Sequence, residues 1–144
     1  MQNSFNKIWI HAIWSTKTAA QLIDYSTEKK VYDFIYEELV VLGCPALIIN
    51  GMPDHVHVLF LLNPNKSISE VIKQIRGSSS HWINAGDYIL ETFAWQTAYA
   101  AYSVSESQVE KVYQYIKNQK VHHLNQSFQE EFDEFIRIYG LSGQ

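Results

Sequence analysis

"PDHVHVLF", residues 53–60, sets two histidines one residue apart among valines, and its reading decides the fold. Strict alternation is the period of a strand, so His55, His57 and Leu59 point to one face while Val56, Val58 and Phe60 point to the other. Upstream, "CPALIIN" (44–50) reads as a second strand, and "GMPD" (51–54) as the turn that joins the two into a hairpin. The two imidazoles then share a face, with backbones about 7 Å apart, close enough for both rings to turn toward one cation. Alone, the pair is equally well read as two sheet histidines, because a two-ligand site is incomplete.

Outward from the hairpin, "FNKIWIHAIWST" (5–16) reads as a first strand. Ser26 or Thr27 can cap a helix whose apolar residues Val31, Phe34, Ile35, Leu39 and Leu42 recur at helical spacing up to Gly43. "SISE" (67–70) has the form of a capping box ahead of a helix marked by Ile68, Ile72, Ile75, Ser79 and Trp82. "FAWQTAYAAYSV" (93–104) is aromatic and β-branched enough for a fourth strand. "SESQ" (105–108) and "SFQE" (127–130) introduce two further helices, one through residue 123 and one with Phe128, Phe132, Phe135, Ile136 and Tyr139 inward. The order β-α-β-β-α-β-α-α predicts an α+β, ferredoxin-like (RRM-like) fold: an antiparallel sheet with helices on one face and extra C-terminal helices.

Over 144 residues no repeat or linker interrupts the pattern, so one domain is expected across 1–144. No apolar run has the length needed to cross a bilayer, and the N-terminus does not read as a secretory signal. Cys44 is the lone cysteine, which agrees with a reducing cytoplasm. The formal charge of −4 argues against coating nucleic acid by bulk electrostatics. Its distribution leaves room for a local basic groove, because residues 66–120 hold six bases against five acids.

A third ligand for the histidine pair is suggested by "VYQYIKNQK" (112–120). On a helix wheel Val109, Val112, Tyr113 and Ile116 form the apolar face, which makes Tyr113 a core residue. Tyr115 and Gln119, four residues apart, run along one edge of that face. A Gln carbonyl is a hard oxygen ligand, and two imidazoles plus one oxygen leave positions for Mg²⁺ or Mn²⁺ to hold a phosphate. His122 falls on the same edge if the helix continues, where it can assist proton transfer or contact phosphate; a helix C-terminus also favours histidine. Lys17, Lys66, Lys73, Arg76, Lys117 and Lys120 are candidates for contacts to a nucleic-acid backbone. Trp14, Trp82 and Trp95 can stack on bases, although core packing accounts for each.

Taken together, "WSTK" (14–17), His55-Val56-His57, "SSSHWIN" (78–84), "WQTAYAAYSVS" (95–105) and "YIKNQKVHH" (115–123) resemble the single-tyrosine HUH transposases of small insertion sequences and their domesticated relatives. That resemblance implies a bacterial or archaeal enzyme that cuts and rejoins single-stranded DNA at hairpin-bearing ends. It implies that His55, His57 and Gln119 bind the divalent cation, that Tyr115 is the nucleophile forming a 5′-phosphotyrosine, and that the protein is a homodimer able to exchange the tyrosine helix. Two other readings stand beside it. A non-catalytic nucleic-acid module would use the same sheet as its platform but gives no reason for the Tyr, Gln and His set. A phosphohydrolase with a histidine nucleophile would place a third alternating histidine at position 59, which is Leu59.

Overall fold

The computed structural model describes residues 4–123 and 126–139. Its strands are β1 (Trp9–Ser15), β2 (Ala46–Met52), β3 (His55–Leu61) and β4 (Ala100–Val104), and its helices are α1 (Glu28–Val41), α2 (Ile68–Ala85), α3 (Val109–Lys117), α4 (Gln119–His122) and α5 (Phe128–Tyr139). The sheet is antiparallel in the order β2-β3-β1-β4, so the two central strands carry the histidines. This is the expected α+β, ferredoxin-like arrangement.

Alternation divides β1 and β3 between two cores. Ile10, Ala12, Trp14, Val56, Val58 and Phe60 face α1 and α2, where Val31, Ile35 and Leu39 meet Val71, Ile72 and Ile75. Trp9 and Leu59 face the other way and pack with Val104 and with Ile116 of α3. Burial on both faces explains why β1 is buried at every position. The extra helix α3 therefore covers the sheet face opposite α1 and α2, above the histidines.

Local chemistry explains where element ends fall. Ser67 caps α2 as expected: its Oγ accepts from the Glu70 N–H at 3.1 Å, and Glu70 accepts from the Ser67 N–H at 3.3 Å. The start of α1 differs from the expectation, because Asp24 Oδ1 accepts from the N–H groups of Ser26 and Thr27, both at 3.0 Å, and neither residue caps with its own side chain. The second expected box also fails. The Ser105 side chain makes no cap hydrogen bond and lies 3.3 Å from the Ser107 hydroxyl instead, residues 106–108 form a 3₁₀ turn, and α3 begins at Val109.

The expected helix through residue 123 breaks at Asn118, with φ −95° and ψ 20°. There Asn50 of β2 donates to the end carbonyls of Ile116 at 3.0 Å and Lys117 at 3.2 Å. The fourth strand is shorter than 93–104 suggests: only Ala100–Val104 pairs, and Trp95 makes one bridge to Thr16. All three candidate tryptophans pack internally. Trp14 meets Trp95 edge-on at 6.0 Å, and Trp82 stacks between Phe34 and Tyr88, each at 4.6 Å.

At Gly51 a β-carbon would meet the His55 carbonyl oxygen at 2.1 Å, backbone that cannot give way without moving β3. Gly51→Ala is expected to lower unfolding stability by about 1–3 kcal/mol. Gly77, inside α2 with open space around it, serves as control: Gly77→Ala should raise stability by about 0.5–1 kcal/mol, read by urea titration.

Candidate metal and nucleophile site

The antiparallel register sets His57 opposite Ile13 and His11 opposite both Leu59 and Tyr102, so His11, His55, His57 and Tyr102 share one sheet face. The three imidazoles are wholly buried. Tyr115 from α3, Gln119 from α4, His123 just beyond α4 and Glu131 from α5 close over them.

Each strand histidine has its Nδ1 committed. The His55 Nδ1–H donates to Asp54 Oδ1 at 2.7 Å. His57 Nδ1 lies 2.8 Å from His11 Nε2, and His11 Nδ1 meets the Tyr102 hydroxyl. Both Nε2 atoms are thereby turned to one point, as an outer shell of partners orients metal-ligating imidazoles. Glu131 Oε1 sits at that point, 3.0 Å from His57 Nε2, 3.3 Å from His55 Nε2 and 3.1 Å from His123 Nε2. Its Oε2 accepts from the Tyr115 hydroxyl and, at 3.1 Å, from Gln119 Nε2. Gln119 Oε1 is 3.3 Å from His55 Nε2.

The electrostatics follow from burial and pairing. Burial alone would raise the Glu131 carboxyl, but hydrogen bonds from His123, His55 and His57 hold it well below the carboxylate range. Burial pushes His57 down to about 4 and, with His57 beside it, pushes His11 well below the usual imidazole value. His55 moves up, because its bonds to Asp54 and Glu131 outweigh its burial. Burial and then Glu131 raise the Tyr115 phenol. A neutral His57 that donates from Nε2 to Glu131 accepts at Nδ1 from His11, which in turn accepts the Tyr102 proton.

Four of the expected site residues are thus brought together: His55, His57, Tyr115 and Gln119. The donor chemistry fits a divalent cation, because two imidazoles with fixed Nδ1 atoms stand beside an amide oxygen and a carboxylate; the ligating atoms of His55, His57, His123 and Glu131 lie within 4.8 Å of one another. The basic candidates are elsewhere. Lys66, Lys73 and Arg76 lie at or on α2, behind the sheet, and Arg76 is spent on the carbonyls of Gln96 and Thr97. Lys120 is tied to Glu28 at 2.9 Å and to the Gly51 carbonyl at 2.5 Å, so it acts as a brace between α4, α1 and β2. Lys17 and Lys117 are exposed, and the His122 side chain lies outside the described residues.

His11, Tyr102, Asp54, His123 and Glu131 were not singled out from the sequence. For Glu131 a signal exists: it follows Phe128 by three residues, on the same side of α5, where an ionised side chain needs partners. Next to Tyr115 a cleft of about 450 Å³ opens between β4 and α3, lined by His11, Tyr102, Ser105, Gln108 and Lys111.

The chain is similar to known proteins in sequence and in fold. The family described as "Transposase IS200 like" matches residues 4–119. The ISDra2 transposase TnpA of Deinococcus radiodurans is 24% identical, over 76% of this chain and 81% of that protein. Among solved structures, a putative transposase from Deinococcus radiodurans aligns with a TM-score of 0.66 at 24% identity, over 83% of this chain and 95% of that one. A REP-associated tyrosine transposase bound to a REP hairpin aligns with a TM-score of 0.60 at 15% identity, over 86% and 73% of the two chains.

The lowered histidines make stability depend on pH. Unfolded, His57 and His11 titrate near 6.5; folded, His57 titrates at about 4 and His11 well below its usual value. The unfolded chain thus binds more protons in that window, and stability falls as pH drops from about 6.5 to 4. His55, which is raised, works in the opposite direction. The expected net loss is of order 1–3 kcal/mol, seen as a falling melting temperature without added metal, and His57→Gln should flatten the slope.

Proposed function

The chain belongs to the IS200-like transposases, and from that membership we propose that it cuts and rejoins single-stranded DNA with Tyr115 as nucleophile. In this reading His55, His57 and Gln119 hold a Mg²⁺ or Mn²⁺ ion, which when bound supplies Lewis-acid polarisation and a template for a phosphate. The observation that carries the reading is the meeting of Tyr115, His57 and Gln119 on a single carboxylate, with the Tyr115 and His57 rings 5.7 Å apart.

The protein's own groups do the rest. A phenol is a weak nucleophile near its free pKa, and the Tyr115 hydroxyl is held protonated by burial and Glu131. Seating a phosphate against His55 and His57 displaces Glu131 Oε1 from the same nitrogens and frees the phenol. The Tyr115 oxygen then attacks phosphorus and the 3′-oxygen departs with the phenolic proton, leaving a 5′-phosphotyrosine and a free 3′-hydroxyl. The bond energy is conserved for rejoining. The cleft beside Tyr115, with Lys111 at its rim, offers room for the strand.

The substrate in this reading is the hairpin-bearing end of a mobile element in a bacterial or archaeal cytoplasm, handled by a homodimer. Tyr115 packs over the histidines of its own chain, which supports a reading in which each subunit uses its own tyrosine. With labelled single-stranded DNA and Mn²⁺, Tyr115→Phe is expected to abolish cleavage, and His57→Ala to reduce it roughly 10²-fold or more. Mixing the two variants should restore nothing if the site works within one chain; recovered cleavage would mean that tyrosine helices are exchanged. A wild-type protein that binds DNA in Mn²⁺ and never cuts it would favour the non-catalytic module.

A further inference from the structure

Three imidazoles and one carboxylate meet in this site, a different donor set from the two imidazoles and one amide oxygen that the proposed reaction needs. We propose that His55, His57, His123 and Glu131 form a closed, four-ligand site for a Zn²⁺-class transition ion, and that filling it pins α5 across Tyr115.

The four ligand atoms are already gathered. Bonds of about 2.0–2.1 Å to nitrogen and oxygen place the ligand atoms of a tetrahedral ion about 3.3 Å apart. Glu131 Oε1 lies 3.3, 3.0 and 3.1 Å from the Nε2 atoms of His55, His57 and His123, and all four atoms lie within 4.8 Å of one another, so binding needs Oε1 to draw back from the point where the nitrogens converge and the nitrogens to close in. All three rings have the outer partners that a ligating imidazole needs. Asp54 takes the Nδ1–H of His55 at 2.7 Å, the Gln126 carbonyl takes that of His123 at 2.6 Å, and His11 Nε2 lies 2.8 Å from His57 Nδ1.

The ligand chemistry points the same way. The Nδ1 atoms of His55 and His123 face a carboxylate and a carbonyl, and both Nε2 atoms face Glu131 Oε1. A cation that takes the place of the shared protons turns those contacts into ligand bonds. Three nitrogens and one oxygen suit Zn²⁺ or Co²⁺, whereas Mg²⁺ prefers oxygen.

Such a set leaves no open position for a phosphate, as in structural zinc sites. Glu131 Oε2 meanwhile keeps the Tyr115 hydroxyl and Gln119 engaged. Cation choice would thereby select between a shut site and an open one. The inference shares the His55–His57 pair with the proposed reaction, but its readout is coordination, so either can fail alone.

The test uses the full chain. Co²⁺ added to wild type should give an intense visible spectrum of tetrahedral type, displaced by one equivalent of Zn²⁺ and untouched by excess Mg²⁺. Glu131→Gln and His123→Gln should each weaken Co²⁺ binding at least tenfold. X-ray absorption on the wild-type Zn²⁺ complex should count three imidazoles and one oxygen, a result independent of whether the variants fold. A weak six-coordinate Co²⁺ spectrum, or a zinc shell with two imidazoles or fewer, would overturn the proposal.

Discussion

His55 and His57 each have one ring nitrogen tied down, to Asp54 and to His11, and this turns their free nitrogens toward the same point. Strand alternation alone gives a shared face; the outer partners give a shared target. Without Asp54 and the His11–Tyr102 pair, two buried imidazoles would be free to turn into the surrounding packing. With them, the second face of the sheet is apolar at the Trp9, Leu59 and Ile116 end and polar at the His55 end.

The helices above respond to that division. Ile116 seats α3 on the apolar end, while Asn50 caps its last carbonyls and Lys120 braces the turn that follows. The break at Asn118 thus has a cause in the sheet below it, and past it Gln119 enters the polar end wholly buried. Glu131 completes the set. A buried carboxylate without partners is strongly unfavourable; here imidazoles, a phenol and an amide surround it, so α5 docks through polar chemistry as well as through Phe128 against His55 at 4.4 Å.

Much of this was legible from local rules. The period-two run at 55–60 marks β3 and the common direction of its histidines, the Ser67 box marks the start of α2, and the four-residue spacing of Tyr115 and Gln119 brings both to the histidines even across the break. What was not legible depends on contacts distant in sequence. Glu106, at the start of the 3₁₀ turn, pairs with Lys7 and Trp9, nearly a hundred residues upstream. His11 matters through a partner 46 residues away, and Glu131 through one 74 residues away. The carbonyls that hold Arg76 and the carboxylate that holds Lys120 likewise come from residues distant in sequence.

The account rests on Tyr115 being the atom donor that joins protein to DNA beside the His55–His57 pair. Mass spectrometry of the full chain, incubated with single-stranded DNA and Mn²⁺ and then digested with trypsin and nuclease, tests this directly. The peptide between Lys111 and Lys117 holds both Tyr113 and Tyr115, and fragmentation separates them. The account predicts a nucleotide 5′-phosphate on Tyr115 and none on Tyr113. A phosphate on Tyr113, on Tyr102 or on a histidine would contradict it.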